Sequence, residues 1–164
     1  MGDRILNHYA IRIRRARPAD FPAIAHLINK CFDIDRAYIE EPDETKSSVA
    51  ADMKDGMYFV AVDGKRQTIG CVYLHHRLQA IFKLAVEPSM RKQGYGRKLM
   101  TEAEKYGKGE GWSIARIAIL NFRLDLLDYY QKLGYGDTGM TRPIAPPAMP
   151  IQPCHLIIMS KKIS

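Results

Sequence analysis

Apolar and polar residues alternate over residues 9–15, where Ile11 and Ile13 are set against Arg12 and Arg14. That two-residue period predicts a half-buried strand. Arg17-Pro18-Ala19-Asp20 interrupts it. Asp20 is a good N-cap and Pro22 is tolerated in a first turn; Ile24, Leu27, Ile28 and Cys31 then recur at helical spacing, which predicts a helix over 21–32. A weaker helix is expected over 45–54, ended by Gly56. Residues 58–62, 68–75 and 81–86 form three apolar runs, separated by Asp63-Gly64-Lys65 and by His76-Arg77-Leu78-Gln79. They predict an antiparallel meander.

The second half is more helical. A helix over 95–107 places Leu99, Met100, Ala103 and Tyr106 on one face, and Gly107, Gly109 and Gly111 are expected to end it. Residues 114–120 predict an apolar strand, 125–133 a short helix ending at Gly134, and 155–159 a last strand. Between these last two, residues 141–153 contain five prolines (Pro143, Pro146, Pro147, Pro150 and Pro153) and are expected to form an ordered, semi-rigid loop. The order βααβββαβαβ is mixed α/β with an antiparallel first half, unlike an alternating doubly wound sheet. No repeat or interdomain linker is visible, so residues 1–164 are read as one domain.

Composition narrows the class. Hydrophobic residues make up 46% and charged residues 26%, as in ordinary soluble globular proteins. No apolar run approaches the length of a membrane span, and Arg4, His8 and Arg12 break the N-terminus where a signal peptide needs its apolar stretch. Cys31, Cys71 and Cys154 are odd in number, widely spaced and set among apolar residues, which fits reduced thiols in a cytoplasmic protein and neither a disulfide framework nor a metal site. The net charge is +7, but residues 33–44 hold six acids (Asp33, Asp35, Glu40, Glu41, Asp43, Glu44) against Arg36 alone. That loop carries −5, so the remainder carries +12. Arg12, Arg14, Arg15 and Arg17 alternate on a strand without interleaved aromatic residues, so a solvated face is the better reading and no nucleic-acid partner is expected.

The chemistry concentrates in Leu84-Ala85-Val86-Glu87-Pro88-Ser89-Met90-Arg91-Lys92-Gln93-Gly94-Tyr95-Gly96-Arg97-Lys98-Leu99. A strand end, a glycine turn and a helix start present unpaired backbone N–H groups and a positive helix terminus to an anion. Arg91, Lys92, Arg97 and Lys98 add four positive charges. A P-loop would end in Gly-Lys-Ser/Thr, which Gly96-Arg97-Lys98 does not supply. A dinucleotide fingerprint would place a third glycine at Leu99 within a βαβ unit.

The pattern Val86-x-Pro88-x-x-Arg91-x-x-Gly94-x-Gly96-x-x-Leu99 resembles the cofactor motif of the GNAT N-acetyltransferase superfamily, Arg/Gln-x-x-Gly-x-Gly/Ala. The likeness extends to the helix pair, the meander, and the ending Leu126-Leu127-Asp128-Tyr129-Tyr130-Gln131-Lys132-Leu133-Gly134-Tyr135. It implies a central mixed, mostly antiparallel sheet of six to seven strands flanked by about four helices. It further implies transfer of an acetyl group from acetyl-coenzyme A, as co-substrate and without metal, to a primary amine of a small molecule or peptide; homodimerisation stays open. Leu84, Ala85 and Val86 would present strand backbone to the pantetheine arm and thioester. Arg91, Lys92, Gln93, Gly94, Tyr95, Gly96 and Arg97 would cradle the pyrophosphate.

Tyr130, four residues before Gly134, matches the family's general acid. Its unperturbed pKa near 10 keeps a proton available for a leaving thiolate. Tyr129 would point about 100° away on a helix. Many members carry an asparagine seven residues before the tyrosine; here Arg123 stands there, and Asn121 is the candidate substitute as a cofactor contact. The general base stays open among Glu87, His75, His76 and water. The acidic loop falls where the family builds part of its acceptor pocket, and would attract a cationic amine. Two other classes stay open: a member that binds acetyl-coenzyme A without transferring the acetyl group, and a nucleic-acid-binding module.

Overall fold

The computed structural model describes residues 10–164; Tyr9, and with it the start of the first expected strand, lies outside the described residues. In chain order the elements are β1 (Arg12–Arg15), α1 (Phe21–Phe32), β2 (Ile39–Glu40), α2 (Lys46–Asp52), β3 (Gly56–Val62), β4 (Thr68–His75) and β5 (Ala80–Val86). There follow α3 (Tyr95–Gly109), β6 (Ile114–Leu120), α4 (Leu124–Lys132), β7 (Gly136–Pro143), β8 (Met149–Pro150) and β9 (His155–Lys162). Seven strands form one sheet in the order β1-β3-β4-β5-β6-β9-β7, and β2 pairs with β8 apart from it. Every neighbouring pair is antiparallel except β5 and β6. The expected meander, mixed sheet and four helices are present.

The sheet is covered on both faces. On one, Phe21, Ile24, Leu27 and Ile28 of α1 and Val49 of α2 pack on Tyr58, Val60, Cys71, Tyr73 and Ala85. On the other, Leu99, Met100 and Ala103 of α3 pack on Phe59, Ala61, Val72, Ile117 and Ile119. All seven residues of β3 are buried, because both helical layers close over it. Such burial is the main favourable term in folding.

Three expectations change. The helix α3 runs through Gly107 because the Trp112 ring lies where a side chain there would go, 2.6 Å from a Cβ built on Gly107. Residues 136–143 form a strand that has no alternation, since all eight are exposed; backbone pairing to β9 and a 2.8 Å bond from the Thr138 hydroxyl to the Ile158 carbonyl hold it. The proline-rich stretch 141–153 is therefore not one loop. Thr141 to Pro143 finish β7, and Met149 and Pro150 pair with Glu40 and Ile39 of the acidic loop. Proline lacks the N–H but still offers a carbonyl, which an edge pairing can use.

Two features position the site. Between Cys71↔Ala85 and Tyr73↔Phe82, β4 has one residue and β5 has two, so β5 bulges at Lys83 and Leu84. Lys83 takes the left-handed φ of 54° there. Its ammonium is held by Glu44 at 2.6 Å and Asp52 at 2.7 Å. The neighbouring strands part: β5 and β6 share one register pair, Ala80↔Arg116, while β6 pairs with β9 on its other edge along its whole length. The side of Leu84, Ala85 and Val86 turned away from β4 thus has no strand partner.

The acidic loop is tied across this opening. Asp35, the one buried charged residue among those described, receives a 2.7 Å hydrogen bond from Arg123 on the β6–α4 connection. Tyr38 stacks on Phe122 at 3.5 Å between ring centres. Ile151 N–H and the Gln152 side chain donate to the Tyr38 and Ala37 carbonyls at 2.8 Å. Asp35→Ala removes the buried partner of Arg123 and leaves it the exposed Asp125, so it is expected to cost about 2 kcal/mol, against at most about 1 kcal/mol for Asp33→Ala at the exposed Arg36 pair. Urea denaturation of the two variants, compared with the parent, checks this.

Candidate active site

The glycine turn opens α3 as the motif predicts. Gly94 is the N-cap with φ 86°, a left-handed conformation that costs glycine little, and a Cβ built there meets nothing within 4 Å. Lys92 also has a positive φ, 61°. The Lys98 N–H makes the first bond back to the Gly94 carbonyl at 3.0 Å, so those of Tyr95, Gly96 and Arg97 have no acceptor inside the helix. Arg91, Lys92, Gln93 and Arg97 are exposed around this open floor. Free N–H groups, a helix N-terminus and room above Gly94 fit a pyrophosphate, which is the fit the donor requires.

The strand end lies beside the turn. Arg91 Nε donates to the Val86 carbonyl at 3.1 Å, and Cys31 Sγ approaches the same oxygen at 3.4 Å. Burial raises the Cys31 thiol pKa, so the sulfur stays protonated. Leu84 and Val86 pack against the α3 side, whereas Ala85 is buried on the α1 side. On α4, the Tyr130 ring meets Tyr129 at 5.1 Å and Tyr135 at 5.9 Å, both edge-on. Burial, reinforced by Tyr129, raises the Tyr130 pKa, and Arg123 opposes it. A phenol shifted this way remains protonated at neutral pH and can only give a proton.

The sequence pattern of the acetyltransferase (GNAT) family matches residues 21–135, which span α1 through α4 and include the turn. The chain belongs to that family. The ribosomal-protein-S18-alanine N-acetyltransferase of Escherichia coli has the same fold, with a TM-score of 0.72 at 17% identity over 94% of this chain and 95% of that one. A GNAT-family acetyltransferase from Staphylococcus aureus superposes with a TM-score of 0.74 at 13% identity over 94% and 100%. A third, from Elizabethkingia anophelis with acetyl-CoA bound, gives 0.70 at 20% identity over 93% and 97%. No curated protein matches the sequence.

Against the family pattern, the other candidates separate. Asn121 Oδ1 accepts the His155 N–H at 3.0 Å, while the Asn121 N–H donates to the His155 carbonyl, also at 3.0 Å. Its carbonyl end thus pins the end of β6 to β9. Arg123, where the family pattern has asparagine, is spent on Asp35 and Asp125, and its guanidinium holds the Asp125 carboxyl below the usual range. Glu87 is paired with Lys30. His75 faces Ala80 across the strands, at the far end of β5 from Val86, and His76 lies beyond it. Six residues at about 3.3 Å each put some 20 Å between His75 and the strand end, so neither histidine is brought to it.

On the α1 side a cavity of about 130 Å³ is lined by Ile28, Asn29, Phe32, Glu41, Glu44 and Lys83, among others. Of the six loop acids, Asp33 and Asp43 pair with Arg36, Asp35 with Arg123, and Glu44 with Lys83. Glu41 faces the cavity without a cationic partner among the described residues. Burial raises its pKa, and Asp35 and Glu44 add to the shift. Lys83, Asp35 and the Tyr38–Phe122 stack were not evident from the sequence, because their partners are distant in the chain. Among the described residues no three His, Cys, Asp or Glu side chains gather as a metal site, and no helix is long and apolar enough to cross a membrane.

Gly94→Ala tests the floor of the turn. It forces a side chain into φ 86° without a clash, so stability should fall by only about 1 kcal/mol. Coenzyme A affinity should fall by more than that loss accounts for, read by calorimetric titration beside denaturation.

Proposed function

We propose that the chain transfers an acetyl group from acetyl-coenzyme A to a primary amine by direct attack within a ternary complex. The observation that carries this reading is the parting of β5 from β6 beside an open glycine turn, with the protonated Tyr130 packed edge-on against Tyr129, whose hydroxyl lies at Gly96 of that turn. Acetyl-coenzyme A supplies an activated acyl carbon and a thiolate leaving group. The N–H groups of Tyr95, Gly96 and Arg97, with Arg91, Lys92 and Gln93 around them, hold its pyrophosphate. The edge of Leu84, Ala85 and Val86 turned away from β4 offers strand backbone to the pantetheine arm, and N–H groups there polarise the thioester carbonyl. The amine nitrogen bonds to the acyl carbon, the carbon–sulfur bond breaks, and Tyr130 gives its proton to the sulfur. Water takes the proton lost by the amine, since Glu87 is occupied and the histidines are remote. Holding both reactants in place supplies much of the rate.

The acceptor is a small cationic amine. Glu41 supports this: it makes no ion pair of its own in a cavity that has the apolar walls Ile28 and Phe32, while the neighbouring Arg36 and Lys83 are each held by other carboxylates. Thiol release is to be measured over a panel of amines, with the oligomeric state determined in parallel. Tyr130→Phe should lower kcat about a hundredfold at neutral pH and leave coenzyme A affinity unchanged; release that does not depend on any amine, or a kcat loss no larger than that of Tyr129→Phe, removes the assignment. Glu41→Gln should raise KM for a cationic acceptor about tenfold, through a partly buried charge-assisted contact, and leave that of a neutral amine unchanged.

A further inference from the structure

Tyr129 precedes the tyrosine that matches the family's acid, and its side chain takes another course. Its hydroxyl oxygen lies 2.6 Å from the point a Cβ on Gly96 would occupy, with a Val86 methyl 3.8 Å from that point. The hydroxyl is thus laid over the first turn of α3, between the end of β5 and the N–H groups that have no helical acceptor. Its ring is half-buried and packed edge-on against Tyr130. Burial raises the Tyr129 pKa while the nearby Arg97 charge lowers it, which leaves a neutral phenol at neutral pH. No hydrogen bond of the described residues uses this hydroxyl, and no buried side-chain oxygen among them is left without a partner. The oxygen therefore opens onto the groove instead of being sealed in the core.

We propose that Tyr129 is a further donor-binding residue whose hydroxyl gives a hydrogen bond to an oxygen of the coenzyme A pyrophosphate. The inference rests on the reading of the turn as the acetyl-coenzyme A site. It divides the labour of the two adjacent tyrosines: one phenol faces the diphosphate and the next faces the sulfur, as their 100° separation on α4 permits. A phenol that meets a doubly charged group makes a charge-assisted bond, stronger than a neutral one. It also explains why this chain needs glycine at 96. An alanine there would displace the Tyr129 oxygen, whereas a phenylalanine at 129 would leave room for it.

The test is a double-mutant cycle read by calorimetric titration with coenzyme A. Tyr129→Phe should weaken binding about tenfold, the range of a hydrogen bond to a charged partner, with an unchanged unfolding temperature in the absence of ligand. Gly96→Ala should weaken it in the parent background but by no more than about twofold in the Tyr129→Phe background, because the displaced atom is already gone. Phosphorus NMR of bound coenzyme A should show the two diphosphate resonances moved by Tyr129→Phe and the ribose phosphate resonance unmoved. Parent-like affinity of Tyr129→Phe, an equal cost of Gly96→Ala in both backgrounds, or unmoved diphosphate resonances would each overturn the contact. If the parent itself fails to bind coenzyme A, the donor site falls and this contact with it. Parent binding that Tyr129→Phe does not weaken removes only the contact.

Discussion

Lys83 adopts a left-handed conformation in the middle of β5, and much of the site follows from that one constraint. A non-glycine residue at φ 54° costs of order 1 kcal/mol and persists only where its surroundings over-determine it. Here Glu44 from the acidic loop and Asp52 from α2 both grip its ammonium, and Tyr73 stands 5.8 Å below it. The two carboxylates outweigh the desolvation of the amine, so the Lys83 pKa is raised although burial alone would lower it. The bulge they secure turns the last residues of β5 out of register with β4. β5 has already left β6 after Ala80, three residues before the bulge, so the residues the bulge repositions have no register partner in β6.

The same contacts couple the two halves of the site. Glu44 belongs to the loop that carries Glu41, so the element that holds the bulge also lines the cavity beside α1. The other end of that loop is fixed to the β6–α4 connection by Asp35–Arg123 and by Tyr38 on Phe122. Arg123 in turn tempers Tyr130. A cluster of like charges in one loop would repel itself in isolation. Three separate cations, Arg36, Lys83 and Arg123, pair with Asp33, Asp43, Glu44 and Asp35, and Glu41 makes no ion pair of its own in the cavity that it shares with Arg36 and Lys83.

The N-terminal arginines show how position outranks composition. Arg14 and Arg15 are neighbours in β1, yet one pairs with Asp20 before α1 and the other lies 5.0 Å over the Tyr106 ring of α3. Alternation sends them to opposite faces of the sheet. Arg12, Arg14 and Arg17 line one cavity with Arg66, from which Arg15 is turned away. The positive charge that bears on the donor is instead gathered at the α3 turn, where free N–H groups add to it.

The sequence by itself determined the elements whose signal is local. The period of α1, the caps and glycines around α3, the three-strand meander and the order Gly94-x-Gly96 before a helix are properties of neighbouring residues, and they also carried the family. It could not yield β7, which has no apolar alternation and exists because β9 offers it backbone partners. Nor could it show that the acidic and proline-rich stretches meet as β2 and β8, since about a hundred residues separate them. Tyr130 was singled out by its likeness to the family's acid four residues before Gly134, whereas the place of Tyr129 depends on how α4 docks beside Gly96. Periodicity and capping act within a few residues along the chain. Ion pairs, strand parting and the neighbours of a hydroxyl are set by packing between elements, and only the tertiary structure decides those.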